Sequence, residues 1–135
     1  MTKKILIAAL LSFLLTGCLP KLGDDSGPRS ESEFVKGQAV AGFPNIPRYE
    51  KAQILESIKD GDSYGASFIV EEELAKVVTF YTDYLPQLGW ESIVTKKSET
   101  NYQFDVKNAD YSGQIIVNSA SDGKNVAISV YVEPR

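Results

Sequence analysis

EEELAKVVTFYTDYLPQLG, residues 71–89, is the stretch on which the fold turns. Leu74, Val77, Val78, Tyr81, Leu85 and Leu88 recur at steps of three and four, and only a helix gathers them into one stripe. Pro86 has no N–H to continue the ladder, and Gly89 suits the left-handed residue that follows a helix end. The spacing therefore predicts a helix from Glu71 to about Leu88. Glu71, Glu72 and Glu73 are expected in its first turn, where negative charge meets the positive end of the helix dipole and gains roughly a few tenths of a kcal/mol per residue.

Outward from the helix the period changes to two. Upstream, Ala52, Ile54 and Ile58 alternate on one side; after Asp60-Gly61-Asp62, Tyr64, Ala66, Phe68 and Val70 do the same, which predicts a hairpin. Ahead of it, Phe43-Pro44-Asn45-Ile46-Pro47-Arg48-Tyr49 alternates prolines with apolar residues and suits an extended strap laid on the domain. Downstream, four strands are expected: Trp90 to Lys96, Tyr102 to Val106, Gln114 to Asn118, and Val126 to Val132. Their short polar connections make successive strands antiparallel neighbours. The expected fold class is α+β: ββαββββ, a single antiparallel sheet of about six strands with one helix packed on one face, occupying residues 43–135.

The N-terminal third has a different character. From Leu19 to about Ala41, Gly, Pro, Ser, Asp and Glu dominate without an apolar period, so residues 18–42 are expected to be a flexible tether, averaging about 25–30 Å end to end. The other reading of this stretch is a binding segment that orders on a partner around Phe34-Val35 and Val40. Before it, Lys3 and Lys4 precede an apolar run from Ile5 to Leu15, too short for a transmembrane helix and suited to a signal peptide.

That run ends in Leu15-Thr16-Gly17-Cys18, which resembles the lipobox of bacterial lipoproteins at all four positions. The resemblance covers residues 1–18. It implies cleavage between Gly17 and Cys18 and acylation of Cys18, so that acyl chains hold the protein on a membrane. Leu19, rather than aspartate, follows the cysteine, which by the family rule points to the outer membrane facing the periplasm in a cell with two membranes. In a cell with one, the outer face of the cytoplasmic membrane is implied.

Loss of residues 1–17 removes two lysines and no acid, taking the formal net charge from −4 to −6. That argues against nucleic acid, which needs clustered Lys and Arg, and against attraction to anionic lipid headgroups. With no histidine and one cysteine, the chain excludes within itself Ser-His-Asp and Cys-His catalysis, zinc fingers, disulfide frameworks and histidine metal sites. No cofactor and no metal are expected. Asp60 with Asp62, and Asp105 with Asp110, are the carboxylate pairs available for calcium or acid–base chemistry, but Asp is ordinary in and near turns.

Phe80-Tyr81, Leu85-Pro86 and Gly89-Trp90, with the strap ahead of the first hairpin, resemble a small domain recurring in uncharacterised bacterial secreted proteins and lipoproteins. The resemblance covers about residues 43–133 and carries no active site. Phe80 and Tyr84 sit four apart on one flank of the helical stripe and are the candidate partner surface, with packing on the hairpin or strap as the other reading. Ile69, Ile116 and Tyr131 fall out of phase with the inward sets and mark a second sheet face. Six strands would make a sheet roughly 24 Å across, whereas a helix is about 10–12 Å wide. The sheet must therefore curl, be covered by the strap, or leave an apolar groove. The function expected is a non-catalytic, membrane-anchored envelope lipoprotein that binds another envelope protein. The alternative is a binder of an apolar small molecule or lipid in the helix–sheet groove; a hydrolase using Asp105 or Asp110 is a third.

Overall fold

The computed structural model describes residues 32–135. The signal segment, Gly17, Cys18 and the first part of the expected tether lie outside the described residues. Seven strands and one helix follow in the order β1 (Ser32–Lys36), β2 (Gln53–Asp60), β3 (Ser63–Glu71), α1 (Leu74–Gln87), β4 (Glu91–Ser98), β5 (Asn101–Lys107), β6 (Tyr111–Ser119) and β7 (Asn125–Pro134). The strands form one antiparallel sheet in the order β1-β2-β3-β7-β6-β5-β4. From β3, in the interior of the sheet, α1 carries the chain to β4 at the far edge, and the meander β4 to β7 returns until β7 lies against β3. The architecture is thus one antiparallel sheet with one helix, but with seven strands rather than six.

The additional strand is β1, which pairs with β2 from Ser32 opposite Asp60 to Lys36 opposite Glu56. It lies inside the 18–42 stretch expected as tether, so the folded part begins earlier than Phe43. Four of its five residues are exposed and only Val35 packs against the core, so it carries no alternation that would set it apart from a polar linker. A second departure is in β2. An irregularity in pairing between Ile54 and Glu56 shifts the phase, so Ile54 and Ser57 face inward and Ile58 faces out, not with Ile54 as its spacing suggested.

Inward-facing residues occupy matched rows across the sheet. Ala66 lies opposite Val130, which lies opposite Ile115, then Phe104; Phe68, Ile128 and Val117 form the next row. Onto them α1 turns Val77, Tyr81 and Leu85, all fully buried, with the Tyr81 ring 6.0 Å from that of Phe104. Burial pushes the Tyr81 phenol above its ordinary pKa, because an anion there would be cut off from water. At Gly113 the backbones of β6 and β7 approach so closely that a Cβ would overlap the Tyr131 carbonyl oxygen, which requires glycine at that position.

The helix begins at Leu74, later than the acidic run suggested. Glu71 ends β3 opposite Asn125, and Glu73 is the N-cap with extended backbone. The glutamates thus flank the positive end of the dipole from outside the first turn. At the other end the helix closes as a Schellman motif: Trp90 N–H donates to the Leu85 carbonyl at 3.0 Å and Gly89 N–H to that of Pro86 at 3.1 Å, with Gly89 at φ 86°. This gives the Leu85-Pro86 and Gly89-Trp90 spacing a physical meaning: the turn at Gly89 drives Trp90 into the core.

Between β1 and β2 the strap runs across the flank left by the helix. Val40 is buried, its N–H donating to the Ser57 hydroxyl at 2.8 Å, and that hydroxyl donates to the Gln38 carbonyl at 2.6 Å. Phe43 meets Tyr64 edge-on at 5.7 Å, the Trp90 indole donates to the Asn45 carbonyl at 2.9 Å, and Tyr49 lies against Phe80. Among the described residues no helix is long and apolar enough to cross a membrane.

Candidate functional site

Phe80 and Tyr84, one helical turn apart, are brought together by α1, and the structure separates their roles. Phe80 is half-buried, edge-on to both Tyr49 and Tyr81 at 5.1 Å. It is a packing residue that joins strap, helix and core. Tyr84 stacks on Phe80 at 4.7 Å with a tilt of 36°, yet stays 46% exposed. The two readings of this pair are therefore divided between them: packing for Phe80, surface for Tyr84.

Tyr49, which sequence reasoning placed only in the strap, is the third member. Its hydroxyl donates to Glu72 Oε2 at 2.9 Å, while Glu72 Oε1 accepts the Glu73 N–H at 3.0 Å and stands 3.5 Å from the Lys76 ammonium. The Glu73 N–H, then the Tyr49 hydroxyl, hold the Glu72 carboxyl below its ordinary pKa. The hydrogen bond to Glu72 raises the Tyr49 phenol by favouring its protonated form. The signal available in sequence was an aromatic residue ending the strap, but its partner 23 positions away was fixed only by folding.

Together Tyr49, Phe80 and Tyr84 floor a shallow recess of about 420 Å³, with Ala75, Lys76, Thr79 and Asp83 around it. Aromatic surface thus lies at the centre of the recess, with one cation, Lys76, and one anion, Asp83, at its rim.

The other sequence candidates do not converge. Asp60 and Asp62 are exposed about the β2–β3 turn. Asp105 lies in the middle of β5, accepting a hydrogen bond from Gln103 at 3.0 Å, whereas Asp110 lies in the β5–β6 turn, where its N–H donates to Asn108 Oδ1. Among the described residues no group of three His, Cys, Asp or Glu side chains is placed to hold a metal ion. Of the ways left open for covering the sheet beside the helix, coverage by the strap is the one seen along that flank, with Val40 buried and Phe43, Ile46 and Tyr49 packed against the core. Ile69, Ile116 and Tyr131 lie on the face of the sheet opposite the helix.

Compared with protein-family models, with curated proteins and with solved structures, the chain finds no match in any of the three.

Proposed function

We propose that this protein is a lipid-anchored, non-catalytic envelope lipoprotein whose domain is a protein-interaction module, with Tyr84 at the centre of the contact. The anchor rests on Leu15-Thr16-Gly17-Cys18. The observation that carries the interaction reading is the Tyr49–Phe80–Tyr84 stack: two rings locked by packing and hydrogen bonding support a third that faces solvent. A pre-positioned aromatic side chain loses little conformational freedom on binding, which is why Tyr and Trp dominate interface hot spots.

The test uses the acylated protein at natural abundance in its own envelope, with a photo-cross-linking amino acid at Thr79, beside the recess. One protein adduct that recurs at Thr79 and disappears on Tyr84→Glu is the expected result. Tyr84 is exposed, so this substitution spares the fold, whereas Phe80→Glu would disrupt packing. Adducts that persist unchanged in Tyr84→Glu, or no protein adduct, would sink this placement of the contact.

A further inference from the structure

The sheet has a second face, and its exposed apolar residues are not scattered. The pairings place Phe34 opposite Ile58, Ile58 opposite Gly65, Gly65 opposite Tyr131, Tyr131 opposite Gln114, Gln114 opposite Asp105, and Asp105 opposite Ile93. Directly paired residues point to the same face, so these form one row across all seven strands on the side away from α1. Four large apolar residues of that row stand in solvent: Phe34 at 53%, Ile58 at 40%, Tyr131 at 52% and Ile93 at 71% exposed. Phe34, Ile58 and Tyr131 flank Gly65, which has no side chain, and a pit of about 240 Å³ opens there between Phe34, Ile58 and the β3 backbone.

We infer that this helix-free face, at the corner made by β1, β2, β3 and β7, is the side on which the domain seats against the membrane surface, with Phe34, Ile58 and Tyr131 entering the interfacial layer. The inference rests on the reading of Cys18 as the acylated residue.

Three features select a lipid surface as the occupant. The first is position in the chain. Ser32, where β1 begins, stands only fourteen positions after Cys18. A chain of that length reaches at most about 50 Å and, when it behaves as a Gly- and Ser-rich coil, averages about 20 Å. Seven strands span about 29 Å, so the tether enters at the sheet edge where the apolar row starts, two residues before Phe34. The second is charge. Of the two rows that adjoin Phe34, Ile58, Gly65 and Tyr131, one sets Lys36 opposite Glu56 and the other carries Asp60 and Glu133, whose carboxylate stands 3.5 Å from the Tyr131 hydroxyl. The small excess of acid at the margin repels anionic headgroups, so the surface suits zwitterionic ones. The third is residue type. Tyr, with an apolar body and a polar tip, settles at the headgroup boundary, and Phe and Ile are apolar side chains that enter just beneath it. An anchored domain is already held near the bilayer, so three such side chains act at high effective concentration and need no intrinsic affinity for free vesicles. The consequence for the proposed function is geometric: with this face on the lipid, α1 and the Tyr84 surface point away from it.

The test places the full acylated protein in phosphatidylethanolamine–phosphatidylcholine vesicles, with a nitroxide label on Ser129→Cys or on Asp83→Cys. Ser129 is exposed in the row beside Tyr131, on the same face; Asp83 is exposed on α1. Because Cys18 is thioether-linked in the acylated protein, each variant carries one free thiol. The expected result is that a water-soluble nickel chelate relaxes the label at Ser129 about fivefold less than at Asp83, and that adding Phe34→Ser and Tyr131→Ser erases the difference while the protein still floats with the vesicles. Equal relaxation at the two sites in floating protein would overturn the seat and leave the anchor standing. Protection at Ser129 that rises with protein-to-lipid ratio would assign the face to a second copy and overturn it too. Protein that does not float and lacks the acyl mass at Cys18 would remove the anchor, and the seat with it.

Discussion

Phe104, Ile115, Ile128 and Val132 lie under α1 and the strap, whereas Asp105, Gln114 and Tyr131, their neighbours in the same three strands, face solvent. The covered face is aliphatic and aromatic apart from the buried Ser57; the open face mixes polar residues with one interrupted apolar row. The comparison teaches that stability and display are divided by the pleat of single strands. What happens on one face is one residue removed from the other, yet the energies differ by an order of magnitude, because only the covered side chains leave water on folding.

The most severe way to break the comparison is a cavity on the covered face. Phe104→Ala is expected to cost about 3–5 kcal/mol, since the fully buried ring packs against Tyr81 and its removal leaves a cavity in the core. Denaturant unfolding followed by the emission of Trp90, the one tryptophan in the chain, measures it; a loss below about 1 kcal/mol would show that this face is not the core. Next comes the join between β2 and the strap. Ser57→Ala removes the hydroxyl that accepts from Val40 N–H and donates to the Gln38 carbonyl, leaving two groups to find water, at an expected cost of about 1–3 kcal/mol. Amide exchange at Val40 should accelerate in step with that loss; unchanged protection would mean that the strap is held by its apolar contacts alone.

The opposite face should respond weakly. Tyr131→Ser and Ile93→Thr are each expected to change unfolding free energy by no more than about 0.5 kcal/mol, because both side chains are more than half exposed. A cost approaching that of Phe104→Ala would erase the distinction between the faces. The smallest effect is the pH dependence of the Tyr49–Glu72 contact. Glu72 titrates below its ordinary 4.5, so its contribution is present above that value and is lost as pH falls through the lowered one. Tyr49 titrates above its ordinary 10.0, so the contact is whole below that value and is lost as pH rises through the raised one. Tyr49→Phe should therefore abolish this contact's alkaline limb in the melting temperature against pH and reduce the acid limb only in part, because the Glu73 N–H still holds Glu72. Identical limbs in the two proteins would show that other groups control the acid and alkaline response.

How much of this was legible in the sequence depended on how local the signal was. The strands β3, β5 and β7 and the core of α1 follow from periods of two and 3.6 that each element carries within itself, whereas β4 was marked only by β-rich composition with no clear facing and β6 by an apolar centre. The β1 strand was not legible, because Ser32–Lys36 has no alternation and becomes a strand by pairing with β2, some twenty residues on. The outward turn of Ile58 was hidden for a related reason: a pairing irregularity at Leu55 breaks the period that the apolar residues suggest. At the candidate site, Phe80 and Tyr84 were visible as a helical pair, but their division into packing and display was not. It depends on Tyr49, brought to Phe80 by the path of the strap and held by Glu72.

By itself the sequence determined the class of fold and the position of the helix, and it excluded histidine- and thiol-based chemistry from the domain, because periodicity and residue inventory are local properties. Only the tertiary structure decided that seven strands share one sheet, that the strap covers the flank of the helix, and that Phe34, Ile58, Tyr131 and Ile93 fall in one row. Those outcomes depend on register between segments up to about a hundred residues apart. Register is set by the joint burial of many side chains, so no stretch of the chain carries it alone.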